Sequence, residues 1–200
     1  MKRILLCRTD ALGDLLLTLP VARSLKEADP AIAISMLVAR YAAPLLENEH
    51  YLHEVITLSG RNVSGFAEFR SLMEDLKQRR FEAVLHFYPR GALALATQLS
   101  AIPVRVGSAY RWYSFLFSHR AKVHRRNSGK HEWELNYDLA EAFHPDLPRH
   151  EPSLQVSESQ RTAARRLLDQ QGLSAGSFVI VHPLSAGSAP NWNLAYYSEL

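Results

Sequence analysis

Met1-Lys-Arg-Ile-Leu-Leu-Cys-Arg-Thr-Asp-Ala-Leu-Gly-Asp-Leu-Leu-Leu-Thr-Leu-Pro20 opens the chain, and its reading decides the fold. The apolar run Ile4 to Cys7 has the continuous hydrophobicity of a strand buried on both faces, as in a parallel sheet. A polar elbow, Arg8 to Asp14, follows, and then a helical pattern through Leu25. Gly13 is the residue expected to let the backbone turn sharply. Asp14 then falls at or just inside the helix start, where Asp is a preferred residue. Ligands of open α/β sheets bind outside the carboxyl ends of the strands. Asp14 therefore has two readings, a helix cap or a carboxylate placed to take a proton from bound substrate.

The same grammar repeats outward from this stretch. Strands are expected at Ala31 to Val38, Glu54 to Leu58, Ala83 to Tyr88 and Val104 to Val106, the last ended by Gly107. Between them lie a short helix from Arg40 to Asn48 broken by Pro44, and a long one opened by Ser64 and running to about Arg80. The long helix carries Phe66, Phe69, Leu72, Met73 and Leu76 on one face. A third, apolar helix runs from Gly91 to about Ala101. Such alternation specifies a doubly wound, mostly parallel α/β domain. The grammar changes at His144-Pro-Asp-Leu-Pro-Arg-His-Glu-Pro-Ser153, a proline-rich polar crossing. We divide the chain there into a domain at 1–152 and the incomplete beginning of a second at 153–200. The second holds a helix from Ser157 to Gln171, a strand at Phe178 to Val181, and a helix from Asn193. Between the last two, the small-residue loop after His182-Pro183 has the make-up of a backbone N–H phosphate cradle.

Composition narrows the function classes. The 200 residues are 47% hydrophobic, enough for a core, and the net charge of +3 is too small for a dedicated nucleic-acid binder. The N-terminal apolar run is interrupted by Arg8, Asp10 and Asp14, so it is not a secretory signal, and we expect a cytoplasmic chain. The single cysteine, Cys7, is expected as a core thiol. No His/Asp/Glu spacing suggests a metal site, and no cofactor is expected. One stretch is markedly basic: Arg105, Arg111, Arg120, Lys122, Arg125, Arg126 and Lys130, interleaved with Tyr110, Trp112, Tyr113, Phe115 and Phe117. It suits phosphates, anionic sugars or membrane headgroups, or is simply a solvated basic loop. His86 is expected to be a satisfied core histidine.

Arg3-Ile-Leu-Leu, Asp10-Ala-Leu-Gly-Asp14, Leu17-Thr-Leu-Pro20, Arg105-Val-Gly107, the helix start at His131-Glu132 and Asn136, and His182-Pro183 running into Asn191-Trp192 together resemble glycosyltransferase family 9, the ADP-heptose:lipopolysaccharide heptosyltransferases. The resemblance spans essentially the whole chain. It implies a glycosyltransferase-B fold of two Rossmann-like domains, with the acceptor side N-terminal and the sugar-nucleotide side C-terminal. It also implies inverting transfer of heptose from ADP-heptose to the lipopolysaccharide inner core, with Asp14 as general base. The acceptor side would use Thr9, Asp10, Gly13, Arg90 and His131, and the donor side His182, Ser185, Gly187 and Ser188. Thr9 and Asp10 have a second reading, as turn-holding hydrogen-bond groups. The expected partners are the sugar nucleotide and the anionic inner core, with peripheral contact at the inner membrane and no nucleic acid. The chain departs from the family at Pro190, where a lysine is usual two residues before the tryptophan, and at Asn193, where proline is common. A noncatalytic binding or assembly module of the same fold is the alternative. As an enzyme, this stretch by itself is expected to be inactive.

Overall fold

The computed structural model describes residues 2–125, 128–183 and 191–199. They fall into two compact units, Met1–Gln155 and Val156–Leu200. The first is built on six strands: β1 (Arg3–Cys7), β2 (Ala33–Ala39), β3 (Glu54–Leu58), β4 (Ala83–His86), β5 (Val104–Ser108) and β6 (His119–Ala121). Their order is β3-β2-β1-β4-β5-β6, and every neighbouring pair is parallel. Central β1 sets Leu5 opposite Ser35 of β2 on one side and Val84 of β4 on the other. Its residues alternate between the two faces of the sheet. Ile4 and Leu6 join a core with Leu25, Ile34 and Leu139, while Leu5 and Cys7 join one with Leu72, Leu76 and Leu93. Both faces are covered, which is why the sequence shows a solid apolar run rather than alternation. Burial pushes the Cys7 thiol far above its ordinary pKa, consistent with a packing role.

The covering helices of this unit are α1 (Leu12–Leu16), α2 (Leu19–Ala28), α3 (Gly65–Arg79), α4 (Gly91–Leu99) and α5 (Glu132–Ala140). The single helix expected through Leu25 is two helices. Pro20, in the first turn of α2, has no N–H to continue the α1 ladder and fits only near a helix start. Thr18 closes the break by donating from Oγ1 to the Asp14 carbonyl at 2.9 Å. Gly13 is not the turn maker either: it lies inside α1 and is not among the glycines with positive φ. The elbow is made before it, with Ala11 extended at φ −92°, ψ 156°.

Three further differences have local causes. Gly107 does not end β5 but lies within it, and the Phe117 ring sits where a Cβ would be. Strand β6, absent from the sequence reading, is a three-residue edge strand whose His119 and Arg120 are exposed and carry no apolar signal. Phe66, expected on the packed face of α3, is exposed in its first turn, while Leu72 and Leu76 are buried.

The second unit holds α6 (Glu158–Gln170) and α7 (Leu194–Tyr197). Ser157 caps α6 and Gln160 completes the capping box, while Gly172 at φ +65° follows its end. The strand expected at Phe178 to Val181 is not present, and Val179 to Val181 are exposed. A parallel strand takes its hydrogen bonds from neighbouring strands, and none exists in this unit among the described residues.

Two stability outcomes follow. Gly107→Ala forces the new Cβ against the Phe117 ring, and overpacking of this kind costs about 1–3 kcal/mol, read as a lower melting temperature. His86 is fully buried. Its Nε2 lies 3.1 Å from Thr97 Oγ1 and its Nδ1 has no hydrogen-bond partner. Burial, with the nearby Arg105 charge, pushes its pKa down from 6.5 to about 3. Above pH 6.5 the imidazole is neutral in both folded and unfolded chains. Below it the unfolded chain takes a proton that the folded one refuses, so stability falls as pH drops from 6.5 towards about 3. Between pH 6.5 and 5 this contributes about 2 kcal/mol. Urea unfolding at the two pH values should show that much less loss for His86→Gln than for the parent.

Candidate active site at the end of the central strand

Strand order reverses between β1 and β4, so the crevice outside their carboxyl ends is where an open α/β sheet binds ligands. Two short peptides reach it: Arg8-Thr-Asp10 after β1, and Phe87-Tyr-Pro-Arg90 after β4. Backbone bonds hold both in register, from Arg8 N to Leu37 O at 3.0 Å and from Phe87 N to Cys7 O at 3.1 Å.

The organising side chain is Arg8, whose guanidinium is almost wholly buried. It spends a different nitrogen on each of three carboxylates. Nε meets Asp10 Oδ1 at 2.7 Å, Nη2 meets Asp14 Oδ1 at 3.1 Å, and Nη1 meets Glu132 Oε1 at 3.0 Å. Nη1 also reaches Asn136 Oδ1 at 3.3 Å. Glu132 is shared with Arg125, which donates to both of its oxygens at 3.1 Å and to the Phe87 carbonyl at 2.8 Å. Two guanidiniums thus serve three carboxylates, leaving one negative charge in excess. Burial accordingly holds Asp10 above the usual carboxylate range, with the Asp14 charge adding to the rise and Arg8 opposing it.

The three carboxylates differ in access. Side-chain exposure is 36% for Asp14, against 22% for Glu132 and 11% for Asp10. Asp14 is therefore the most accessible of the three. The capping position of α1 belongs to Ala11, so Asp14 is a first-turn residue that faces Arg8. The Cβ position of neighbouring Gly13 is open, with nothing within 4 Å. Helix α5 braces the elbow: Asn136 Nδ2 donates to the Leu17 carbonyl at 2.9 Å and to Thr18 Oγ1 at 3.2 Å.

The other sequence candidates fall as follows. Thr9 is buried and donates from Oγ1 to the Arg61 carbonyl at 2.8 Å, so its hydroxyl holds the turn. The Asp10 carbonyl accepts from Tyr41 Oη. Arg90 stacks its guanidinium 4.4 Å above the Tyr88 ring, and its buried Nε has no hydrogen-bond partner. Arg8 lies 5.9 Å from the same ring centre. His131 is exposed at the N-cap of α5, and its backbone N–H donates to Glu134 Oε2 at 2.8 Å. His182 is exposed in the second unit, and Ser185, Gly187 and Ser188 lie outside the described residues, as does Pro190. Among the described residues no group of three His, Cys, Asp or Glu could hold a metal ion. Nor is any helix there long and apolar enough to cross a membrane.

No family model matches the chain. A Haemophilus influenzae protein named "Putative glycosyltransferase" is 31% identical over 210 residues, covering the whole chain and 59% of that protein. "Lipopolysaccharide heptosyltransferase 3" of Escherichia coli is 22% identical over 196 residues, covering 94% of the chain and 56% of that protein. Among solved structures, a glycosyl transferase family 9 protein from Veillonella parvula superposes with a TM-score of 0.73 at 18% identity, over 88% of this chain and 51% of that one. The resemblance to glycosyltransferase family 9 holds. An E. coli heptosyltransferase solved with ADP-2-deoxy-2-fluoro heptose agrees in fold, with a TM-score of 0.70 at 19% identity over 98% of this chain and 64% of that one. The fold is thus the glycosyltransferase-B fold of the family 9 heptosyltransferases. The chain spans 56–59% of the length of the relatives it matches in sequence.

The sequence reading did not see Arg8 as a hub, and it named Glu132 and Asn136 only among the residues of the resemblance and Arg125 only in the basic stretch. A signal for Arg8 was its place as a charged residue directly ending a buried strand.

Removing the hub leaves three carboxylates with one guanidinium. Breaking a buried ion pair from one side costs about 3–5 kcal/mol, because the orphaned charge stays buried. Arg8→Met should lower the unfolding free energy by that much in urea titrations. Adding Glu132→Gln to the same chain should recover part of the loss.

Proposed function

We propose that the full-length protein is an inverting glycosyltransferase that moves heptose from ADP-heptose to a hydroxyl of the lipopolysaccharide inner core, with Asp14 as general base. The observation that carries this is the graded exposure of three carboxylates on one arginine, which leaves Asp14 as the accessible base at the sheet's switch point. The similarity to heptosyltransferases supports the choice of donor and acceptor.

Inversion by single displacement requires the acceptor oxygen to attack the anomeric carbon opposite the departing diphosphate. The attacking hydroxyl must lose its proton as the new bond forms, and a carboxylate within hydrogen-bond reach takes it. Asp14 is oriented for this by Arg8 Nη2, while its second oxygen is the candidate proton acceptor. The C–O bond to ADP breaks with the electron pair leaving on the diphosphate. On this reading the acceptor lies over the ends of β1 and β4, where the Arg90 guanidinium meets its anionic groups, with Asp10, Gly13 and His131 around it and Thr9 holding the turn beneath. Residues 153–200 begin the sugar-nucleotide domain, with His182 and the loop holding Ser185, Gly187 and Ser188 on the donor side. The enzyme works in the cytoplasm at the face of the inner membrane where its acceptor is anchored.

Asp14→Asn in the full-length protein keeps the size and the Arg8 contact but cannot accept a proton. Turnover with ADP-heptose and a deacylated core acceptor should fall about 10²–10⁴-fold, with the melting temperature within a few degrees of the parent. Near-normal turnover would remove Asp14 from the chemistry. A parent protein inert with both substrates would instead favour the noncatalytic module.

A further inference from the structure

Helix α4 is anomalous for a helix at the molecular surface. Its sequence, Gly91-Ala-Leu-Ala-Leu-Ala-Thr-Gln-Leu99, contains no charge. Leu93, Ala94 and Ala96 are buried, but Leu95 and Leu99 on the outer side are 40% and 52% exposed. A helix packed on one face ordinarily carries charged or polar side chains on the other. The segment after β5 packs against the same helix. Tyr113, Leu116 and Phe117 cluster with Ala94, and the Tyr113 ring lies over Gly91. With those side chains turned inward, the same short segment turns Trp112 and Phe115 outward, 85% and 63% exposed. Two large rings and two leucines thus face water from adjoining elements.

The charge along this stretch of chain has a single sign. From Ala83 to His131 the chain has eight Lys and Arg residues and no Asp or Glu, although one residue in ten of the whole chain is acidic. Several of these cations are engaged. Arg105 caps backbone carbonyls and Arg125 pairs with Glu132. Arg111, Arg120 and Lys122 are exposed and make no ion pair among the described residues. Exposed Trp, Phe and Leu beside unpaired cations, with no carboxylate in the segment, match an interface whose outer layer is anionic and whose next layer is hydrocarbon.

We propose that this face, Trp112 and Phe115 with the outer side of α4, in a stretch of chain that also carries the exposed Arg111, Arg120 and Lys122, docks the protein on an anionic phospholipid bilayer. The proposal deepens the functional reading by naming the surface that brings the enzyme to a membrane-anchored acceptor. Lipid binding is measured without either substrate, so the two can fail separately.

The test is sedimentation of the full-length protein with vesicles of phosphatidylcholine and phosphatidylglycerol at 3:1, and with pure phosphatidylcholine. The expected result is binding to the anionic vesicles that weakens as salt is raised. Trp112→Ser with Phe115→Ser should lower the partition coefficient tenfold or more. Arg120→Gln with Lys122→Gln should lower it about 25-fold, from about fivefold for each surface charge. Both double variants should keep turnover on a water-soluble acceptor within about twofold, as none of the four is among the residues assigned to the site. Parent protein left in the supernatant with anionic vesicles overturns the proposal, as do double variants that bind like the parent. Parent protein that binds vesicles but transfers no heptose leaves the docking face standing and removes the functional reading.

Discussion

One buried guanidinium sets the terms for this fold's working end. Arg8 is the first residue beyond central β1, with apolar cores on both faces of the strand behind it. A charge placed there is strongly disfavoured unless every donor is met. The requirement is satisfied by reaching across the chain. Asp10 and Asp14 come from the same elbow, but Glu132 and Asn136 come from a helix 124 and 128 residues later. The position of α5 and the conformation of the Arg8 to Asp14 elbow are therefore consequences of one another. Asp14 inherits its orientation from this arrangement.

The elbow is rigid for a second reason. Pro20 interrupts the helical ladder and separates α1 from α2, leaving the Leu17 carbonyl in need of a partner. Asn136 supplies a donor to the Leu17 carbonyl and to Thr18 Oγ1, and Thr18 donates in turn to the Asp14 carbonyl. The same asparagine accepts from Arg8. A single amide thus joins the helix break to the guanidinium, fixing both the backbone and the side chain of the residue proposed as base. Positioning of this kind, built on packed elements rather than a free loop, is what a general base needs if the attacking hydroxyl is to arrive within hydrogen-bond distance.

What was legible in the sequence follows from the range of the forces involved. The span of β3, the start of α3 after Ser64 and the cap of α6 at Ser157 were readable, because periodicity and capping act within a few residues. The parallel architecture was readable for the same reason, from strand and helix alternating. The Gly-Asp elbow pointed to Asp14, although Gly13 proved helical and the turn was made by extended Ala11. The division of one helix into two was signalled by Pro20 and passed over, since the apolar pattern runs straight through it. Gly107 within β5 was not legible, because its cause is a ring ten residues later in sequence and only adjacent in space. The Arg8 network lay further out of reach still. Its decisive contact closes a loop of more than a hundred residues, and no local pattern encodes that.

The distribution of charge ties the parts together. The proposed reaction brings an anionic acceptor to an anionic leaving group, so unscreened carboxylates near it would oppose binding. In the first unit the carboxylates at the strand ends are gathered onto Arg8 and Arg125, which reduces three charges to one in excess. The chain from β4 to the start of α5 contributes none. What remains is a single accessible carboxylate at Asp14, set in surroundings that otherwise favour anions. A base needs its own negative charge, and the rest of the site needs the opposite. Burying Asp10 and Glu132 against guanidiniums while leaving Asp14 within reach of solvent satisfies both demands with one arginine at the centre.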